Sequence, residues 1–251
     1  MKFYTFLSRR YDEMIEWSKR LNAEWPFFKT YFEHYCVKSI LDIGSGTGEH
    51  AIFFSGKGYK VIGIDPNAEM IGIARGKMPE NVNNPNFFIA GFEQISDIGG
   101  APFDCVLCIG NTLPYVGSEP GLLSTLKDIR KLISDNGIFV TQSRNFDLMK
   151  KGKNRFLPIS SFKDENGEIV LLRFYDVFEN TAVLNLVEIN NVDGSWEYTL
   201  HSSLQFPIFK KTLIGSLADA GFKEMELFGD FKLSAFNIRK STDLIIVAEC
   251  Q

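Results

Sequence analysis

The sequence predicts an α/β chain built on a doubly wound, mostly parallel sheet, and three features support that expectation. From Ser39 onward, short β-branched runs alternate with amphipathic stretches; residues 155–208 break this rhythm with strand-like runs alone; and an aromatic-rich helical segment precedes both. Alternating strand and helix is the pattern of βαβ units, because parallel neighbours need a crossover long enough to hold a helix.

Residues 9–36 read as two helices broken near Trp25 and Pro26, since proline suits a first helical turn and disfavours helix in the residue before it. They make residues 1–38 an N-terminal helical cap. The strands that follow are KSILDIG, KVIGID, NFFIA, FDCVLCIG and GIFVTQS, with helices expected over 48–58, 67–77 and 119–133. Within 155–208, the runs IVLLRFYDVFE, TAVLNLVEIN and WEYTLHSSLQF are joined by turn-like stretches such as ENGE and NVDG. They predict an antiparallel β flap of about three strands inserted into the main domain. A helix over 209–220 ends at Gly221, and strands near FKEMELFG and DLIIVAEC close the pattern. The sum is a Rossmann-like, seven-stranded sheet in one domain over 39–251, carrying the flap.

Composition narrows the function classes. With 251 residues, 45% of them apolar, the chain can bury a full core. A net charge of −4 offers no general field for nucleic acid or an anionic membrane, so a small-molecule partner is expected. The opening MKFYTFLSRRYDEMIEW has an apolar run too short for a signal segment or a span, which predicts a cytoplasmic protein. Cys36, Cys105, Cys108 and Cys250 show no disulfide framework. Cys105 and Cys108 form a CxxC inside a strand, where residues three apart point to opposite faces, so core packing explains them better than metal or redox chemistry. Only three histidines are present, and no metal site is expected.

The chemistry starts at LDIGSGTG, Leu41 to Gly48, between a predicted strand and a predicted helix, where backbone must pass close to a ligand. Gly44, Gly46 and Gly48 fit that need, although a tight structural turn would also use them. A dinucleotide fingerprint would want glycine at 49; Glu49 stands there and would repel a pyrophosphate at the helix N-terminus. Asp65, ending the second strand about twenty residues on, can accept bonds from both ribose hydroxyls. Loop and carboxylate together predict an adenosine-bearing ligand.

Six segments then carry a family resemblance: W-x-x-R at Trp17 to Arg20, LDIGSGTGEH at 41–50, DPNAEMI at 65–71, AGFEQI at 90–95, CIGNTLPYV at 108–116 and SRNFDLMKKG at 143–152. The sequence resembles class I S-adenosylmethionine-dependent methyltransferases, and within them the glycine and sarcosine N-methyltransferases. The resemblance implies that Arg20 pairs with the methionine carboxylate of the cofactor, Gly44 lines its methionine end, Asp65 holds the ribose and Met70 packs on the adenine. Met70 would otherwise be an ordinary core residue. Gly91 and Phe92 stand where the family usually has an acidic or amide residue followed by tryptophan, so that Phe92 supplies an apolar wall and a backbone carbonyl the adenine hydrogen bond. Asp42, Gly46, Gly48 and Ile109 complete the candidate cofactor set.

On the acceptor side, Asn111 follows the fourth strand and Arg144 ends the fifth, both at the carboxyl edge where doubly wound folds bind ligands. Arginine there has the planar fork that grips a carboxylate in two parallel bonds. In the family this arginine holds the acceptor's carboxylate, a role the resemblance transfers to Arg144; a salt bridge to Asp147 or a neighbouring acid is the competing account. Asn111 either turns to the acceptor or cofactor amino group, or serves as a turn-forming residue. Phe146 replaces the family's tyrosine, and NRFLPISSF replaces the tyrosine-rich stretch that follows, which argues against glycine itself. Tyr11, Tyr115, Arg173, Tyr175, Tyr198 and His201 either shape the pocket or pack the flap, and KKGKNR, Lys150 to Arg155, is read as a solvated loop. The expectation is an enzyme that methylates a small acceptor, a carboxylate-bearing amine or hydroxyl compound. Two alternatives compete: a cofactor-binding regulatory module without catalysis, which Gly91 would suit, and a nicotinamide-dependent oxidoreductase, which lacks its third glycine and a placeable catalytic set.

Overall fold

The computed structural model describes Ser8 and residues 10–79, 82–164, 167–192 and 194–250. The apolar run at 1–7 and parts of the ENGE and NVDG turns lie outside the described residues. Eleven strands among the described residues form two sheets. β1 (Ser39–Ile43), β2 (Lys60–Asp65), β3 (Asn86–Ile89), β4 (Phe103–Cys108), β5 (Ile133–Arg144), β10 (Met225–Phe228) and β11 (Asp243–Glu249) make a seven-stranded sheet in the order β10-β11-β5-β4-β1-β2-β3. β11 alone runs antiparallel to its neighbours. The chain winds outward from β1 to β3 and then crosses back to β4 on the other side of β1. The carboxyl edge between β1 and β4 is therefore the topological switch point, where the diverging loops leave a crevice.

Helices cover both faces. α1 (Trp17–His34), α2 (Glu49–Gly56) and α3 (Ala68–Gly76) lie on one, and Phe27, Phe28, Phe32, Phe54 and Ile71 meet Ile40, Val61, Cys105, Leu107 and Val140 there. α4 (Glu119–Leu132) and α6 (Lys210–Asp219), which follows the short α5 (Phe146–Met149), cover the other, packing Leu122, Leu126, Leu213 and Leu217 on Leu41, Val106, Cys108 and Phe139. Cys105 and Cys108 thus sit in opposite cores, as strand alternation requires, and all four cysteines are free.

The expected break at Pro26 is corrected: α1 runs through it without interruption, and the chain bends earlier, at the extended Ile15 that follows a 3-10 turn over Asp12–Met14. A proline inside a helix costs about 3 kcal/mol. Burying Phe27, Phe28, Tyr31 and Phe32 in the next two turns contributes roughly 1.5–3 kcal/mol each, which outweighs it. Thr30 Oγ1 also donates to the Pro26 carbonyl at 2.9 Å.

The second sheet is the flap, with four strands where about three were expected: β6 (Ser160–Asp164), β7 (Gly167–Val177), β8 (Ala182–Val192) and β9 (Ser195–Gln205), paired antiparallel in that order. Its inner face, through Ile169, Leu171, Tyr175, Leu184 and Leu186, packs on Phe146 and Met149 of α5. No described helix is long and apolar enough to cross a membrane.

Candidate functional site

The loops after β1 to β5 and the inner face of the flap enclose one cavity of about 1440 Å³. That exceeds the usual range for one drug-sized ligand and has room for two molecules together. Arg20, Gly44, Gly46, Asp65, Met70, Gly91, Phe92, Asn111 and Arg144 all line it. Asp42, Gly48 and Ile109 stand behind its wall: Asp42 is buried in β1, Gly48 begins α2, and Ile109 belongs to the core.

On the β1–β3 side, the glycine loop folds over the end of β2. Gly44 and Ser45 donate their backbone N–H groups to the Ile64 carbonyl, and Gly46 donates to Asp65 Oδ2 at 3.1 Å. Gly44 has φ +74°, and a Cβ there would come within 2.3 Å of the Thr112 side chain, so only glycine serves. A Cβ on Gly48, at φ +83°, would strike Phe87 and Ala74. Asp65 Oδ1 accepts from Asn67 N at 2.8 Å, which fixes the carboxylate while leaving each oxygen a further lone pair. Burial raises the Asp65 pKa against those two backbone bonds. Asn67 in turn caps α3, accepting from Glu69 N and Met70 N, and so places the buried Met70 in the cavity wall. Glu49 is held by Lys77 at 2.7 Å, which also bridges to Asp12 at 2.7 Å and ties the N-terminal turn to the loop.

Arg20 reaches the cavity from α1. Its Nε donates to Glu24 at 2.8 Å, Glu24 lies 2.7 Å from His50, and the Trp17 ring lies under the guanidinium, 5.1 Å away. Burial would depress the Arg20 pKa, but Glu24 and Tyr11 carry it upward, and the Glu24 carboxyl is correspondingly lowered by His50 and Arg20 against its own burial.

On the β4–β5 side, Asn111 sits at φ +68°, a backbone conformation asparagine tolerates better than most residues. Its Nδ2 donates to Tyr175 Oη at 3.1 Å and Gln205 Oε1 at 3.0 Å, while Oδ1 accepts from Arg144 N at 2.9 Å. Gln205 passes the network on to Tyr115 Oη at 2.7 Å. Asn111 therefore latches the sheet edge to flap strands β7 and β9. Arg144 Nη1 meets Asp243 Oδ1 at 2.8 Å, and the side chain remains 29% exposed. The rest of its motif is structural: Asn145 caps α5 and donates to the Ile238 and Ser241 carbonyls, and Asp147 accepts from Lys210 N. Tyr11, Tyr115, Arg173 and Tyr175 join the cavity wall, whereas Tyr198, 77% exposed, points away and His201 stands outside the wall. Of the basic run, Lys150 pairs with Glu179 and Arg155 with Asp176.

Comparison with known proteins bears on the same regions. A family model described as a methyltransferase domain matches residues 40–137, the span from β1 into β5. The glycine/sarcosine N-methyltransferase of Aphanothece halophytica is 26% identical over 234 residues, covering 89% of this chain and 80% of that protein. The enzyme of the same description from Halorhodospira halochloris is also 26% identical, over 231 residues, with 89% and 80% covered. Residues 40–137 thus match a methyltransferase domain, and over most of its length the chain is similar to these N-methyltransferases. Among solved structures, the methyltransferase CcbJ of Streptomyces caelestis matches this chain with a TM-score of 0.75 at 19% identity, over 97% and 95% of the two chains. An S-adenosylmethionine-dependent methyltransferase from Clostridium acetobutylicum matches with 0.75 at 11%, over 99% and 97%; both show the fold. The cavity suits S-adenosylmethionine, the cofactor that the resemblance implies: its glycine loop exposes backbone without side chains, and Asp65 presents fixed acceptor oxygens beside it.

Proposed function

We propose that the chain is a methyltransferase that acts on a small acceptor bearing a carboxylate and a nearby amine or hydroxyl, with the cofactor on the glycine-loop side of the cavity and the acceptor under the flap. The observation that carries this reading is the position of Arg144: at the carboxyl edge of β5, in the cavity wall, beside Asn111, with Asp243 taking one Nη1 hydrogen of the five donors a guanidinium has. The names of the curated relatives, which methylate glycine and sarcosine, support an amine bearing a carboxylate.

In this reading Asp65 holds the ribose, Arg20 the methionine carboxylate, and Met70 with Phe92 the adenine. The bound sulfonium supplies an activated methyl group for in-line displacement. The protein's own task is alignment and exclusion of water. Arg144 fixes the acceptor by its anion, and the Asn111–Tyr175–Gln205–Tyr115 network holds the flap shut over it. An amine acceptor must arrive or become neutral before attack. Asn111 Oδ1 and the Tyr115 and Tyr175 hydroxyls offer neutral acceptors near it, without a further fixed anion beside the sulfonium.

The reading is tested by S-adenosylhomocysteine release across pairs of short amino acids and their neutral amides. Carboxylated members should exceed their amides in kcat/KM by at least tenfold. Equal turnover within pairs would refute the anionic acceptor.

A further inference from the structure

Arg144 and Arg20 each have a carboxylate partner, but a third guanidinium in the same cavity, that of Arg173, has none among the described residues. Arg173 lies in the middle of β7, in register with Leu186 of β8, and alternation places it on the flap's inner face with Leu171 and Tyr175. Arg173, Tyr175, Leu184 and Leu186 of that face line the cavity opposite the sheet edge.

Arg173 is poorly satisfied where it stands. Nη2 donates to the Pro158 carbonyl at 3.3 Å, long for a charged donor, and Nε is closed off from solvent without a hydrogen bond. The groups whose charge bears on it are Arg144, a second cation, and the phenols of Tyr11 and Tyr175, which burial keeps neutral. Burial first, and Arg144 second, push the Arg173 pKa down; a guanidinium nonetheless keeps its proton. A half-buried cation facing another cation is unfavourable unless an anion completes the arrangement. Asp243 answers one of the two.

Resting on the reading that the acceptor is a small carboxylate, we propose that Arg173 is a second anchor for that carboxylate, so that Arg144 from the sheet and Arg173 from the flap hold one anion between them. The arrangement makes Arg173 the residue that sets preference for anionic acceptors. It also explains why an arginine occupies the inner face of a strand whose neighbours there, Leu171 and Tyr175, are buried. Engagement of the carboxylate draws β7 toward the sheet edge, along the same direction as the hydrogen bond from Asn111 to Tyr175.

The test measures binding to protein saturated with S-adenosylhomocysteine. The probes are acetate, sarcosine and β-alanine, each against its neutral amide, for wild type, Arg173→Gln and Arg173→Lys. Arg173→Gln should weaken the carboxylates at least tenfold while leaving the amides and S-adenosylhomocysteine within twofold, and Arg173→Lys should recover part of the loss. A wild-type preference for carboxylates that survives in both variants would overturn the role of Arg173 alone, as would equal losses for acids and amides. A wild type that shows no preference for carboxylates would overturn the underlying reading as well.

Discussion

Arg144 and Asp243 face one another across the β5–β11 pairing, directly opposite in register and joined by a 2.8 Å bond from Nη1 to Oδ1 at the wall of the cavity. The competing account for that arginine, a salt bridge to Asp147 or a neighbouring acid, holds in its second form: Asp243 takes the guanidinium, while Asp147 accepts from the backbone of Lys210. An ion pair on adjacent strands holds the guanidinium at the cavity rather than withdrawing it, because both partners line the same space.

Asp65→Ala should weaken S-adenosylmethionine binding by roughly 1.5–3 kcal/mol, the scale of hydrogen bonds to a charged group. Asp65 also accepts from Gly46 and Asn67, so the variant loosens the loop as well as the ribose contact. Calorimetry with adenosine-lacking fragments of the cofactor separates the two effects. A folded variant with unchanged cofactor affinity would remove the ribose assignment.

Arg20→Ala should reduce affinity for S-adenosylmethionine at least tenfold, yet leave affinity for a decarboxylated analogue within about twofold. Glu24 keeps His50 as a partner at 2.7 Å in the variant, which limits collateral damage to α1. Equal losses for both ligands would make the effect of Arg20 structural.

Asp42 offers a pH test. Burial raises its pKa to about 6, with His50 opposing, so the folded state holds this proton more tightly than the unfolded chain does. Above pH 6 the buried charge costs on the order of 2–3 kcal/mol, at about 1.4 kcal/mol per unit; the cost fades as pH falls through 6 and is gone below the unfolded value near 4. Asp42→Asn should therefore gain stability over wild type at pH 7.5 and lose that advantage by pH 4.5, measured by urea unfolding at both. A stability difference independent of pH would place the titration elsewhere.

Much of this architecture was readable in the sequence, and the gaps have physical causes. Asp65 and the glycine loop are legible because strand, turn and helix follow one another locally, and the carboxyl edge collects their ends. The fourth flap strand escapes notice because Ser160–Asp164 is short and polar, and pairing with β7 rather than its own pattern makes it a strand. Pro26 misleads because local propensity ignores the aromatic core that holds the helix. Asp243 and Gln205 lie 99 and 94 residues from their partners Arg144 and Asn111, a separation no local pattern spans. Arg173 was visible as one residue of a strand, but which face of the flap meets the cavity is decided by tertiary packing.

On the proposed function, Arg144 aligns an anionic acceptor beside a cofactor it does not itself bind. The measurement that meets this role most directly is the pair of constants for Arg144→Lys: Kd for S-adenosylmethionine, and kcat/KM for the best carboxylated acceptor. Lysine keeps the charge but loses the planar pair of bonds, so Kd should stay within about twofold while kcat/KM falls ten- to a hundredfold. An unchanged kcat/KM, or a loss in cofactor affinity that accounts for the whole decline, would contradict the account.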